Sequence, residues 1–236
     1  MMRLEPIGHE IWIADGPKVS FYGFPYPTRM ALIRLDGGDL WVWSPITLDR
    51  ELRVEVEALG RVRHLVSPNK IHHLFLGEWA DAFPDARLYA SPGLARRRDD
   101  LDFDAELGDR PEPNWAGQID QVVVAGSLAM EEVLFFHRRS STCLVCDLIQ
   151  RHNPAEQTGW KGCLMRLDGL VGHDGSTPRE WRLTFLDRAR ARAAVETALS
   201  WRPQRLVIAH GDWAPTDGTA VLRRGLRWLG PSPPRR

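Results

Sequence analysis

The chain alternates short apolar runs with segments whose apolar positions recur at helical spacing. Ile11-Trp-Ile13 and Met30–Leu35 read as strands, and Asp36-Gly-Gly38 is a turn before the returning strand Asp39–Trp43. Ser44-Pro45 ends that hairpin, and the spacing after it predicts an amphipathic helix over Leu48–Leu59. Val62–Val66 is a further strand. Leu74–Phe83 carries apolar residues at helical spacing and stops at Pro84, so a helix is expected there, then a short strand at Arg87–Ala90. Ser91-Pro92 would cap a short helix through Arg98, whereas the acidic Asp99–Asn114 segment, with two prolines, reads as a surface excursion.

The second half follows a similar plan. Ile119–Val124 and Glu132–Phe136 read as strands around a Gly-containing turn. Thr142–Cys146 is a continuous apolar run closed by Asp147, which fits a strand buried on both faces. Residues 150–180 read as irregular apart from one short helix. Asp187–Trp201 is the clearest helix, Arg205–Ala209 is a strand ending at His210-Gly211, and Gly218–Leu229 is a last helix. Strand runs interleaved with helices point to sheets covered by helices, an α+β chain.

Length and charge narrow the function. At 236 residues the chain can bury a substantial core, and no linker divides it, so residues 1–236 are expected to form one domain. Zero formal net charge argues against nucleic acid or an anionic membrane as partner and leaves a small-molecule substrate or ligand. The first residues lack the apolar core of a secretory signal, and no stretch is long enough to span a bilayer, so the expected location is cytoplasmic. Cys143 and Cys146 have redox or zinc-ligand spacing, but no second pair accompanies them. Residues three apart on a strand also face opposite ways, so they read as small buried hydrophobes in a reducing compartment. The ten tryptophans suit apolar pockets as well as core.

Candidate chemistry gathers at strand ends, where folds of alternating strands and helices place it. His72-His73 lie beyond Val62–Val66, Asp147 beyond Thr142–Cys146, and His210 beyond Leu206–Ala209. Two or three imidazoles and one carboxylate suit zinc or iron(II), although a strand-end Asp is also a helix cap and a His-Gly pair also a turn. Asn69 could donate to an oxyanion or simply sit in a turn. Arg29 could reach an anionic substrate, and Trp213 could wall a pocket or pack. Ser140-Ser141 has no base near it in sequence, which argues against a serine nucleophile. His9, His64, His137, His152 and His173 show no partnered spacing.

These strand ends resemble the metallo-β-lactamase fold, a four-layer αββα sandwich with metals at one edge. Ser44-Pro45, Ser67-Pro-Asn before His-His, the Phe75-Leu-Gly-Glu-Trp79 helix and Phe83-Pro-Asp-Ala86 narrow the resemblance. They are similar to a bacterial branch of that fold classed as a domain of unknown function (DUF4336). Position by position, the superfamily pattern His-x-His-x-Asp-His falls on Pro68–His73. The resemblance therefore implies that Pro68 and Lys70 stand where two ligands of a first metal would be, and that the third falls near Ser140–Thr142. For the second metal it implies His72, His73, Asp147 and His210 as ligands, with Lys70 in a short pair with Asp147 and able to stabilise developing negative charge. The expected function is hydrolase-like, with one divalent metal, zinc ahead of iron, and a small or ester-like substrate. The alternative is a non-catalytic member that binds a ligand or partner in the same pocket. Oxygen or redox chemistry on iron ranks third.

Overall fold

The computed structural model describes residues 3–21 and 23–230. Seven strands form one sheet in sequence order. β1 (Glu5–Gly8), β2 (Ile11–Phe21), β3 (Phe24–Arg34) and β4 (Asp39–Trp43) pair antiparallel, and β5 (Arg61–Val66), β6 (Arg87–Ala90) and β7 (Ala105–Glu106) add in parallel. Parallel neighbours need crossovers, and α1 (Arg50–Leu59) and α2 (Leu76–Ala82) provide the first two.

The second sheet contains β8 (Ile119–Val124), β9 (Glu132–His137) and β10 (Thr142–Val145) as an antiparallel meander. After α3 (Gly159–Leu167), α4 (Arg179–Thr184) and α5 (Arg188–Ser200), β11 (Arg205–Ile208) joins β10 in parallel. α6 (Gly218–Gly225) and a 3₁₀ turn at Arg227–Leu229 follow.

Alternation along each strand builds three apolar layers. Trp41 and Trp43 of β4 point inward with Phe135, Leu144 and Val207 of the other sheet. Leu40 and Val42 point outward against Leu52, Val56 and Trp79 of α1 and α2. On the far side, Leu134 and Ile208 meet Ala191, Val195 and Leu222 of α5 and α6. The result is the four-layer αββα sandwich. Because both faces of both sheets are covered, the strands read as nearly unbroken apolar runs. Cys143 accordingly faces the outer layer and Cys146 the inner one, both as free thiols.

Three expectations shift. The first strands are far longer than Ile13 and Met30 suggested, running past Pro17, Pro25 and Pro27. Outward of Ala14 and Met30 they pair only with each other among the described residues, so no third strand needs the missing proline N–H groups. A register shift between Gly16 and Val19 absorbs Pro17. Residues 91–98 form successive turns rather than a helix, and residues 150–180, expected to hold one short helix, hold α3 and the start of α4. Among the described residues no helix is long and apolar enough to cross a membrane.

Candidate metal centre

Strand register brings the polar strand ends together. Val145 of β10 sits opposite Ile208 of β11 in a parallel pair, so Asp147 and His210, each two residues further on, emerge side by side. The parallel pairing of Trp43 with Val66 does the same for Ser44 and Ser67 in the other sheet. Between the two edges lies the loop from Ser67 to His73. The Ser67 hydroxyl lies 2.9 Å from the Asn69 carbonyl and 2.7 Å from that of His72. Asn69 Oδ1 accepts from the Ile71 and His72 N–H groups, a local turn that swings His72 toward the second sheet.

There His72, Asp147 and His210 converge. Their Nε2 atoms are 3.0 Å apart, and each approaches a different oxygen of Asp147, His72 at 3.2 Å and His210 at 3.1 Å. The opposite ring nitrogens are tethered. His72 Nδ1 meets the Ser44 hydroxyl at 3.0 Å, and His210 Nδ1 meets the Pro27 carbonyl at 2.6 Å. Ser44 holds that position in the left-handed region, with φ 51°, a conformation that a serine adopts at some cost. Gly211 after His210 is obligatory, because φ is 101° and a Cβ would lie 2.1 Å from the Arg151 carbonyl. Tyr26 packs edge-on against His210.

Behind the cluster sits a second, fully buried carboxylate. Glu132 opens β9 and accepts from the backbone N–H groups of Cys146, Asp147 and Leu148 at 2.8, 2.7 and 3.1 Å. The Asn69 amide bridges the two acids, 3.1 Å from Glu132 and 2.7 Å from Asp147. Burial, then the Asp147 charge, push the Glu132 carboxyl up to about 8 against the N–H groups that hold it down. Burial would raise the Asp147 carboxyl too, but the charges and hydrogen bonds of His72 and His210 outweigh it and hold it well below the usual range. For His210 burial lowers the imidazole and Asp147 more than reverses this, leaving it raised.

The cluster forms the floor of a cleft of about 720 Å³. Its walls come from the β2–β3 arm, the loop before α2, the β8–β9 loop and α4.

The family model described as "Domain of unknown function (DUF4336)" matches residues 9–157, more than half the chain. The chain belongs to the DUF4336 family. Solved structures share its fold at low identity. A metallo-β-lactamase from Pontibacter korlensis is 13% identical, with 98% of this chain and 100% of that one covered and a TM-score of 0.64. The FIM-1 metallo-β-lactamase from Pseudomonas aeruginosa, in its mono-zinc form, is 14% identical, with 97% and 96% covered and a TM-score of 0.61. The metal-soaked Flv1 flavodiiron core from Synechocystis is 13% identical, with 94% and 59% covered and a TM-score of 0.62. This DUF4336 chain therefore has the metallo-β-lactamase fold. No curated protein matches the sequence.

Of the four ligands expected from sequence, the DUF4336 chain brings three together. His73 turns away. Its Nδ1 and its carbonyl each lie 3.0 Å from Arg98 Nη1, which makes Nδ1 an acceptor and leaves the ring proton on Nε2. Burial first, then Arg98 and Arg97, lower its pKa. Lys70 is half-buried in the cleft wall but makes no ion pair with Asp147 among the described residues, because the Asn69 amide takes that place. Asn69 is fully buried and spent on the two acids, so it positions Asp147 instead of facing an oxyanion.

Arg29 is buried too. It donates to the Ile208 and Gly211 carbonyls, both at 2.6 Å, and clamps the His210 turn. Trp213 packs on the inter-sheet core. Ser140–Thr142, onto which the resemblance maps the missing third ligand of the first metal, lie at the other end of β10, and the residue facing Asp147 from β9 is Glu132. Sequence reasoning missed Glu132. Its one signal was a carboxylate heading a strand that is otherwise apolar on both faces.

Proposed function

We propose that this protein is a metal-dependent hydrolase holding one divalent ion, zinc ahead of iron, between His72, Asp147 and His210. One observation carries the reading: two Nε2 atoms and a carboxylate face one point while both Nδ1 atoms are tethered behind. Histidines ligated through one nitrogen commonly have the other anchored in this way. Separations of 3.0, 3.1 and 3.2 Å suit atoms each about 2.0–2.1 Å from a shared small ion. Three protein ligands below an open cleft match catalytic sites, which keep a position free, better than closed structural ones.

When bound, the ion would supply Lewis acidity, polarising a carbonyl oxygen and acidifying a water molecule. The chain does the rest. Ser44 and Pro27 orient the imidazoles, Asn69 and Glu132 hold Asp147, and Lys70 offers positive charge to an anion developing in the cleft.

Metal analysis of freshly purified protein tests this, with about one equivalent expected. His210→Ala and Asp147→Asn should lose it, while His73→Ala should keep it. Chelation should abolish hydrolysis across a panel of small esters, and readdition of zinc should restore it. Metal-free protein whose behaviour chelation leaves unchanged would overturn the reading.

A further inference from the structure

Carbon dominates the cleft walls. Val19, Ile71, Leu74, Phe75, Met130 and Trp181 all line it. Leu74 is 62% exposed, and Leu128 and Leu183, at 77% and 76%, adjoin the lining residues Ala129 and Thr184. Exposed leucines scattered singly need no explanation, but Leu74 is exposed within the lining of the cleft itself.

Two cations stand in this apolar lining. Lys70, half-buried, and Arg97, exposed at the rim, line the cleft, and neither forms an ion pair among the described residues, whereas neighbouring Arg98 is held by Asp100. Apart from Asp147, the lining contains one carboxylate, Glu180, on α4. An unpaired cation set among apolar side chains attracts an anion and repels a second cation, the more so where the surroundings are poorer in water than bulk solvent.

We infer that the cleft binds an amphipathic anion, with an aliphatic or aromatic body against the walls and a carboxylate or phosphate at Lys70 and Arg97. As a substrate class, an ester that still carries such an anionic group, this rests on the hydrolase reading above; as a binding site it does not.

Calorimetric titration of the full chain, as purified and after chelation, separates the two. The probes are hexanoate, octanoate, decanoate, octyl phosphate, octanol and octylammonium. Affinity should rise about threefold per added methylene in the chelated protein, where no metal can capture the carboxylate. Octanoate or octyl phosphate should bind about tenfold tighter than octanol, and octylammonium weakest. The tighter of the two anions identifies the head group. Lys70→Met should erase the advantage of the anion and leave octanol binding unchanged. Leu74→Ser, at an exposed position that the fold does not depend on, should weaken all the octyl probes. Equal affinity for octanoate and octylammonium, or no chain-length dependence, would overturn the inference. Binding that persists in a protein without metal or esterase activity sinks the hydrolase reading and keeps this one.

Discussion

At Glu132 one carboxylate accepts from three successive backbone N–H groups and from Asn69, with no solvent contact. A buried acid is tolerated only when its acceptor capacity is filled, and here filling it fixes the turn that carries Asp147. Glu132→Gln turns one oxygen into a donor aimed at N–H groups. The expected cost is about 2–3 kcal/mol of unfolding free energy in urea. Metal affinity, read by competition with a chelating dye, should fall about tenfold or more because Asp147 loses its support. Unchanged stability would show that the network is not holding the turn. His72 and His73 make the complementary point. They are adjacent and chemically identical, yet one joins Asp147 and the other is captured by Arg98, a choice made by side chains 75 and 25 residues away that no local pattern encodes.

Elements with a strong local pattern were legible in the sequence, and those that depend on a partner were not. α1 was expected over Leu48–Leu59 and forms over Arg50–Leu59, because Asp49 caps it by accepting from the Leu52 N–H at 2.8 Å. Asp49→Ala should therefore lower stability by about 1 kcal/mol, measured as a shift in urea midpoint at constant m-value. Its exposed pair with Arg3 should add little to that loss. The β2–β3 arm shows the opposite case. Its three prolines argue against a strand, and only the absence of a third strand beside the arm makes them harmless. α3 was hard to read for a related reason. Its Trp160, Leu164 and Leu167 are exposed, so its apolar positions do not mark a face turned to the core.

Across the whole molecule, buried histidines tie stability to pH. Burial lowers His64 and His137 to about 4, against roughly 6.5 in the unfolded chain. The unfolded state therefore binds these protons first as pH falls. Both contributions are present above about pH 6.5 and are lost toward pH 4, each worth up to about 3 kcal/mol. Glu132, raised by burial and by Asp147, works the other way and loses stability as pH climbs from about 4.5 to 8. Burial lowers His152 to about 4 as well, so three histidines outweigh one carboxylate and thermal stability should fall between pH 6.5 and 4.5. His64→Gln should flatten that fall, and an unchanged slope would show that His64 is not responsible.

By itself the sequence determined the apolar runs, the main helices, the layered class and the polar groups waiting at strand ends. Those features follow from periodicity and turn chemistry within a few residues of one another. Only the tertiary structure decided that His72, Asp147 and His210 meet, that His73 does not join them, and that Glu132 and Asn69 stand behind Asp147. Whether side chains meet depends on register between strands far apart in the chain, where a shift of one residue turns every side chain to the other face.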